Sequence, residues 1–164
     1  MRFFLTIRGR KNAMGRIMIT KAQKEDLEEI LKLQYLAYQS EARLFNDMNI
    51  PPLRQTIEEV QDEFQRGIIL KYSDEKDQII GSVRAYQENG TAYISKLMVH
   101  PKMQKRGIGT KLLLEIEKEY VNQRYELYTS TKSIGNIKLY EKLGYQIFKE
   151  EEITSELKFV YMEK

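Results

Sequence analysis

The chain of 164 residues contains no cysteine and a single histidine, His100. Without cysteine it has no disulfide bonds, no thiolate metal site and no cysteine nucleophile, and nothing in the composition indicates secretion. A serine hydrolase would have to use His100, and no Gly-x-Ser-x-Gly segment supplies its serine. The longest apolar runs have four residues, whereas a membrane-spanning helix needs about 20. We therefore expect a cytoplasmic protein without a membrane segment or a metal site.

The net charge of +3 conceals an uneven distribution of basic residues. Residues 1–16 hold five of the 27 basic side chains and no acid, so the rest of the chain has 22 basic against 24 acidic residues. This excess of acid argues against nucleic acid as a partner. We divide the chain into a basic extension, residues 1–16, and one domain, residues 17–164. The extension is predicted to be dispensable, with a targeting peptide or a short basic arm as the alternatives.

Hydrophobic periodicity divides the first half of the domain into a strand and two helices. The strand begins at Ile17, and the first helix follows Ala22 with an apolar stripe. Residues 40–52 show no clear periodicity and are predicted to be an irregular connection of a length that is often functional. Thr56-Ile57-Glu58-Glu59 fits a capping box at the start of the second helix, which is predicted to end at Gly67.

The second half of the domain is predicted to be mainly strands. Asn89-Gly90 is a strong signal for a hairpin turn, and Gly144 is expected to be a left-handed residue that ends a helix. The remaining elements are strands 68–72, 78–87 and 91–99, a helix with Ile108, Leu112, Leu113, Ile116 and Tyr120 on one face, strand 125–129, helix 136–143, and a final hairpin of strands 145–153 and 157–162. The resulting order, β-α-α-β-β-β-α-β-α-β-β, predicts one α/β domain with a mixed sheet.

The clearest chemical signal lies between strand 91–99 and the helix that follows it, where Gly107 and Gly109 stand among cationic residues. Because glycine has no side chain, backbone N–H groups at the helix start can approach an anion there, and the helix dipole favours its negative charge. The spacing fits neither a Rossmann loop, which needs a small residue at Leu112, nor a Walker loop. A tight strand-to-helix turn without a ligand is the alternative interpretation.

Two segments together resemble the GNAT superfamily of acyl-CoA-dependent N-acetyltransferases. Gln104-Lys105-Arg106-Gly107-Ile108-Gly109 matches the signature Gln/Arg-x-x-Gly-x-Gly/Ala, and residues 136–145 are similar to a late helix of the family, with Asn136 and Tyr140 four residues apart. By element order the resemblance extends from about Ile17 to the C-terminus. It implies an α/β (α+β) GNAT-like domain, with a mixed, mostly antiparallel seven-stranded sheet flanked by about four helices.

The resemblance implies an N-acetyltransferase that uses acetyl-CoA as co-substrate and transfers the acetyl group by direct attack of an amine. The cofactor-binding residues that it implies are Met98, Val99, Gln104, Lys105, Arg106, Gly107, Ile108, Gly109, Thr110, Asn136 and Tyr140. Tyr140 is also the predicted general acid, because a phenol with a pKa near 10 is protonated at neutral pH. By analogy with the family, the backbone N–H of Val99 is the expected oxyanion donor.

The general base is harder to assign, because the central strand 91–99 lacks the glutamate that many relatives place there. Tyr93 and Ser95 are predicted to relay a proton through water. Glu41 and Glu88 are alternatives from loops, and base catalysis by ordered water alone is a further alternative. His100 is expected to be structural or to face solvent.

The partners of the chain are predicted only by class. The acceptor is a small-molecule amine or a protein amine. Aromatic and acidic residues between Tyr35 and Asp47 suit a cation, although a solvated loop explains them equally well. The last hairpin has edges that could support a homodimer. The alternative function is a GNAT-like acyl-CoA-binding sensor or scaffold without efficient catalysis.

Overall fold

The computed structural model describes residues 18–164, so the predicted extension 1–16 and Ile17 lie outside the described residues. The strands are β1 (Ile19–Lys21), β2 (Ile68–Ser73), β3 (Ile79–Glu88), β4 (Thr91–Val99), β5 (Arg124–Ser130), β6 (Gln146–Glu152) and β7 (Lys158–Glu163). The helices are α1 (Leu27–Ala37), α2 (Gln39–Phe45), α3 (Pro51–Arg54), α4 (Ile57–Arg66), α5 (Ile108–Glu119) and α6 (Ile134–Lys142). In this part of the chain no helix is long and apolar enough to cross a bilayer.

One mixed sheet has the strand order β1-β2-β3-β4-β5-β7-β6. Its neighbouring strands are antiparallel except for the central pair, β4 and β5, which is parallel. This arrangement confirms the predicted seven-stranded, mostly antiparallel sheet. The parallel pair is possible because α5 connects the end of β4 to the start of β5.

The core forms on both faces of the sheet. On one face α5 buries the side chains of Leu112, Leu113 and Ile116 completely, in a cluster with strand residues of β2 to β5 and β7. On the other face Ile30 of α1 and Val60 of α4 are also completely buried. Each such side chain stabilises the fold by about 1.5–3 kcal/mol. The two helical layers therefore hold the central strands from both sides.

The capping box predicted for α4 is confirmed. The Glu59 backbone N–H donates to the Thr56 hydroxyl at 3.3 Å, and the Thr56 N–H donates to the Glu59 carboxylate at 2.8 Å. Gly67 follows the helix as predicted, but its φ of −150° is extended rather than left-handed. A Cβ atom at Gly67 would lie 2.0 Å from the Ala85 carbonyl oxygen, so glycine is needed there for close approach to β3.

The prediction of an irregular connection over residues 40–52 is wrong. The chain is helical again from Gln39, and Asn46, with a φ of 52°, ends α2. Two short helices, α2 and α3, occupy most of this segment. Ala42 is the buried residue of α2, so the helix has no apolar stripe that periodicity could detect.

The predicted turns are present. Asn89 and Gly90 have φ values of 49° and 80°, as a two-residue turn with both residues left-handed requires. Gly144 has a φ of 97° after α6, which confirms its predicted conformation.

A bulge interrupts β4 just before its end. Ser82 pairs with Met98 while Arg84 pairs with Ser95, so Lys96 and Leu97 together face a single residue of β3. Lys96 has a φ of 52°, which is rare for a residue with a side chain. The bulge changes the direction of the last residues of β4.

Candidate active site

The cleft begins where the two parallel strands separate. The ladder between β4 and β5 pairs only residues 91–93 with residues 124–126, although β4 continues to Val99 and β5 to Ser130. The walls of a cleft of about 590 Å³ are formed by the end of β4, the loop before α5 and the start of α6. It is lined by Ala37, Tyr38, Ser40, Glu41, Leu44, Leu97, Met98, Val99, Met103, Gln104, Lys105, Gly107, Ile108, Gly109, Thr110, Ser133, Gly135, Asn136 and Leu139.

The Val99 backbone N–H points into the gap between the separated strands. The next residue, His100, donates its N–H to the Ile80 carbonyl of β3 at 2.8 Å. Because successive N–H groups of a strand point to opposite sides, the Val99 N–H points away from β3 and towards β5. The ladder to β5 has already ended there, so this donor is open to a bound group.

The loop before α5 presents backbone N–H groups to the same cleft. Gly107 has a φ of 78°, and a Cβ atom there would have no neighbour within 4 Å. The first backbone hydrogen bond of the helix runs from the Lys111 N–H to the Gly107 carbonyl, so the N–H groups of Ile108, Gly109 and Thr110 precede it. These donors, at the positive end of the helix dipole, fit a phosphate group.

The start of α6 supplies polar side chains on the opposite wall. The Asn136 amide donates to the Thr129 hydroxyl of β5 at 3.3 Å, which fixes its orientation in the cleft. Ser133 is only 8% exposed, and its hydroxyl has no hydrogen-bond partner within residues 18–164. A buried hydroxyl without a partner is costly, which indicates that it serves a bound group. The sequence interpretation missed Ser133, because a serine directly before a helix is expected to cap it, whereas this hydroxyl makes no capping hydrogen bond.

Tyr140 lies one helical turn beyond Asn136 but is not among the residues that line the cleft. Its side chain is 6% exposed, and its ring centroid is 6.1 Å from that of Tyr145. Burial and the negative charge of Glu41 raise the pKa of Tyr140 above its ordinary value. The phenol is therefore protonated at neutral pH and close enough to the cleft to be affected by the charge of Glu41.

Glu41 is the acidic residue among those that line the cleft. It lies on α2 one turn after Tyr38, and both side chains line the cleft. Burial raises the pKa of Glu41. Its charge in turn contributes to the raised pKa of Tyr38, Tyr128 and Tyr140, after the larger effect of burial on each. Of these four residues, Glu41 and Tyr38 line the cleft, whereas Tyr128 and Tyr140 do not.

The structure does not bring the other proposed proton carriers to the cleft. Tyr93 stacks on Tyr86, with centroids 5.2 Å apart, and neither Tyr93 nor Ser95 is among the lining residues. Glu88 is exposed at the end of β3. The His100 ring accepts a hydrogen bond from the Lys102 N–H at 3.1 Å, which is the structural role expected of it.

Comparison with known proteins identifies the class of this fold and cleft. The sequence profile described as the acetyltransferase (GNAT) family matches residues 24–145. The chain therefore belongs to the acetyltransferase (GNAT) family, as the two sequence segments predicted. It is an acetyl-CoA-dependent acyltransferase, and the enzymes of this family act on amine acceptors. No curated protein matches the chain significantly.

Solved structures have the same fold at low sequence identity. The ribosomal-protein-S18-alanine N-acetyltransferase of Escherichia coli has a TM-score of 0.74 and 16% identity, over 88% of this chain and 90% of that chain. The PaiA N-acetyltransferase of Thermoplasma acidophilum in complex with coenzyme A has a TM-score of 0.71 and 21% identity, over 89% and 96%. The phosphinothricin acetyltransferase of Sinorhizobium meliloti in complex with acetyl-CoA has a TM-score of 0.71 and 17% identity, over 89% and 86%.

The residues of the cleft fit acetyl-CoA. Its pyrophosphate suits the open N–H groups around Gly107, and its extended amide-containing arm suits the gap beside Val99 and the unpartnered hydroxyl of Ser133. Residues 18–164 contain no group of three or more metal-binding side chains.

Proposed function

We propose that the chain transfers an acetyl group from acetyl-CoA to a primary amine by direct attack. The observation that carries this proposal is the cleft where β4 and β5 separate, which is lined by the open loop around Gly107 and by Glu41 and Tyr38. Bound acetyl-CoA would supply an activated thioester carbonyl. The chain has no cysteine that could accept the acetyl group first.

The proposed cofactor-binding residues hold acetyl-CoA at three places. Gln104, Lys105, Arg106 and the N–H groups from Gly107 to Thr110 bind the pyrophosphate, and Val99 binds the extended arm through its backbone. The backbone of Met98 faces β3, where Met98 pairs with Ser82, so the predicted contact of Met98 with the arm is not part of this proposal. Ser133 and Asn136 bind from α6, on the opposite wall. The open Val99 N–H is also the donor that stabilises negative charge on the carbonyl oxygen during attack.

Tyr140 is the proposed general acid. Its pKa, raised by burial and by Glu41, keeps the phenol protonated at neutral pH. A protonated donor near the leaving sulfur allows the thiolate to depart as a thiol.

Glu41 is the proposed general base, in preference to Tyr93, Ser95 and Glu88. A carboxylate whose pKa is raised by burial is a better proton acceptor near neutral pH than an ordinary one. Because Glu41 lines the same cleft as Val99 and Asn136, we expect it to accept the proton of the amine directly or through one water. The lack of cysteine is in keeping with a cytoplasmic location, which we also propose.

The variant Tyr140→Phe tests the acid assignment. It removes only the hydroxyl, so the packing against Tyr145 and the affinity for acetyl-CoA should persist while turnover falls about 100-fold or more. Thiol release with a panel of amines measures turnover, and thermal unfolding with acetyl-CoA measures binding. Unchanged turnover would refute the acid role. Acetyl-CoA binding by the wild type without transfer to any amine would instead indicate a sensor or scaffold.

A further inference from the structure

A second cavity, of about 560 Å³, lies between α4 and the bulge of β4. The described residues that line it are Pro51, Arg54, Gln55, Glu59, Asp62, Glu63, Arg66 and Lys96, and none of them lines the cleft. The volume is within the range of small-molecule sites, but this lining contains no aromatic ring and only one apolar residue, Pro51. A ligand of the second cavity would therefore be small and polar.

Lys96 lies in the bulge, between the two cavities. Lys96 and Leu97 together face a single residue of β3, and Leu97 lines the cleft whereas Lys96 lines the second cavity. The left-handed φ of 52° is costly for a residue with a side chain, so glycine would fit this position more easily than lysine. Strained residues of this kind are common at functional sites.

The Lys96 ammonium group has no hydrogen-bond or ion-pair partner among residues 18–164, although its side chain is half-buried. Burial lowers the pKa of Lys96, and the opposing charge of Glu63 does not cancel this effect. The ammonium group has therefore lost contact with water without gaining a counterion, which is unfavourable.

The acids of the second cavity do not neutralise Lys96. The Glu63 carboxylate already forms an ion pair with Arg84. The Glu59 carboxylate accepts a backbone N–H in the capping box of α4, and the Asp62 side chain is exposed to water. Within the described chain, Lys96 is thus the half-buried charge of this lining that lacks a partner.

The charge balance of the second cavity favours an anion. Together with Arg84, which pairs with Glu63, four cations stand against three acids: Arg54, Arg66, Lys96 and Arg84 against Glu59, Asp62 and Glu63. The Arg66 guanidinium lies over the Tyr86 ring, 4.1 Å from its centroid, rather than against an acid. The net charge of +1 and the unpaired ammonium group both suit a ligand with one negative charge.

We propose that the second cavity binds a small organic carboxylate on Lys96, at a site separate from the acetyl-CoA cleft. A carboxylate oxygen would accept a hydrogen bond from the ammonium group and supply the counterion that the half-buried lysine lacks. The inference does not depend on acetyl transfer, because the two cavities share no lining residue.

Other ligands fit the second cavity less well. An amine or another cation would meet the unpaired ammonium group of Lys96 and the two arginines of the lining. A phosphate dianion would bring two negative charges to a net charge of +1, and the Glu59 N–H at the start of α4 already donates to the Thr56 hydroxyl. Residues 18–164 contain no side-chain group that could hold a metal ion.

Titration followed by ¹H–¹⁵N correlation NMR tests the proposal and locates the ligand. The probes are butyrate, butyramide, which has the same size without the charge, and phosphate. Each is added to the unliganded protein and to the protein saturated with coenzyme A. The variants are Lys96→Met, which removes the charge but keeps most of the length, and Asp62→Asn. The matched control is Lys32→Met, on the exposed side of α1.

We expect butyrate to shift the amide signals of Lys96 and of residues 59–66, with and without coenzyme A, and butyramide to shift neither. Lys96→Met should weaken butyrate binding about tenfold or more, because it removes a charged donor, and Lys32→Met should leave it unchanged. Asp62→Asn should strengthen binding about twofold at low salt, because it removes a repelling charge.

The variant Lys96→Met should remain folded. It removes an unpaired half-buried charge, so its unliganded Tm should equal or exceed that of the wild type. A lower Tm would contradict the absence of a partner for Lys96.

Several results would overturn the carboxylate site. These are no binding of butyrate, equal binding of butyrate and butyramide, tighter binding of phosphate than of butyrate, or butyrate binding that Lys96→Met leaves unchanged. Displacement of butyrate by coenzyme A would overturn the separation of the site from the cleft.

Discussion

The buried side chain of Arg84 offers a quantitative test of how α1 and α4 are held to the sheet. Arg84 of β3 is 3% exposed. Its guanidinium donates to the Glu63 carboxylate of α4 at 2.5 Å and to the Gln34 side-chain oxygen of α1 at 2.6 Å. It also donates to Gln55, between α3 and α4, at 3.0 Å. One cation therefore connects β3 to two helices and to the segment before α4.

The variant Arg84→Met should lower the free energy of unfolding by about 3–5 kcal/mol. The methionine fills most of the space but leaves the Glu63 carboxylate without its cation and the completely buried Gln34 without a donor. For a domain of this size that loss lowers Tm by about 10 °C. The matched control is Arg124→Met, because Arg124 also pairs with two glutamates but is 35% exposed. Exposed pairs contribute about 0–1 kcal/mol, so its Tm should change by no more than about 3 °C.

Urea unfolding followed by circular dichroism measures both variants. The double variant Arg84→Met/Glu63→Met should recover part of the loss, because it also removes the unpaired carboxylate. Equal destabilisation by Arg84→Met and Arg124→Met would refute the reasoning, since burial would then not decide the strength of the two ion pairs.

Two further substitutions test the proposed base and the close approach at Gly67. Because burial raises the pKa of Glu41, the free energy of unfolding falls as pH rises from the ordinary carboxyl pKa to the raised one. Glutamine carries no charge, so Glu41→Gln avoids this loss and should have a higher Tm than wild type at neutral pH. In the same variant kcat/KM should fall about 100-fold or more, and the rise of kcat/KM with pH should disappear. Unchanged kinetics would remove Glu41 from the mechanism. Gly67→Ala forces a Cβ atom to within 2.0 Å of the Ala85 carbonyl oxygen and should cost about 3 kcal/mol in urea unfolding, whereas Gly135→Ala, with open space around it, should cost much less. Similar losses at the two glycines would contradict the contact at Gly67.

Local sequence signals predicted the parts of the fold that depend on nearby residues. The capping box at Thr56, the turn at Asn89-Gly90 and the left-handed Gly144 are each formed by residues within a few positions of one another. The loop around Gly107 belongs to the same class, because a glycine between a strand and a helix allows the left-handed conformation that Gly107 adopts.

The features that sequence patterns missed depend on contacts between distant segments. Glycine is needed at position 67 because the Ala85 carbonyl of β3 leaves no room for a side chain there. The position of Glu41 in the cleft follows from α2, a helix with too few buried residues to show periodicity. Tyr93 and Ser95 were preferred as proton carriers because they are polar residues of β4, but both precede the bulge, and the residues of β4 that line the cleft begin only at Leu97, within it.

Thermal unfolding with acetyl-CoA tests the central claim, that the gap beside β4 and the loop around Gly107 bind this co-substrate. At about 100 times the dissociation constant, binding adds about 2.7 kcal/mol and raises Tm by several degrees. Gly109→Glu should keep the unliganded Tm and abolish the shift, because it places a carboxylate among the N–H donors. Gly109→Ala, whose Cβ atom would make only ordinary contacts at 3.8 Å, should keep much more of the shift. A wild-type shift that Gly109→Glu leaves unchanged, or no shift in a folded protein free of CoA, would contradict the account.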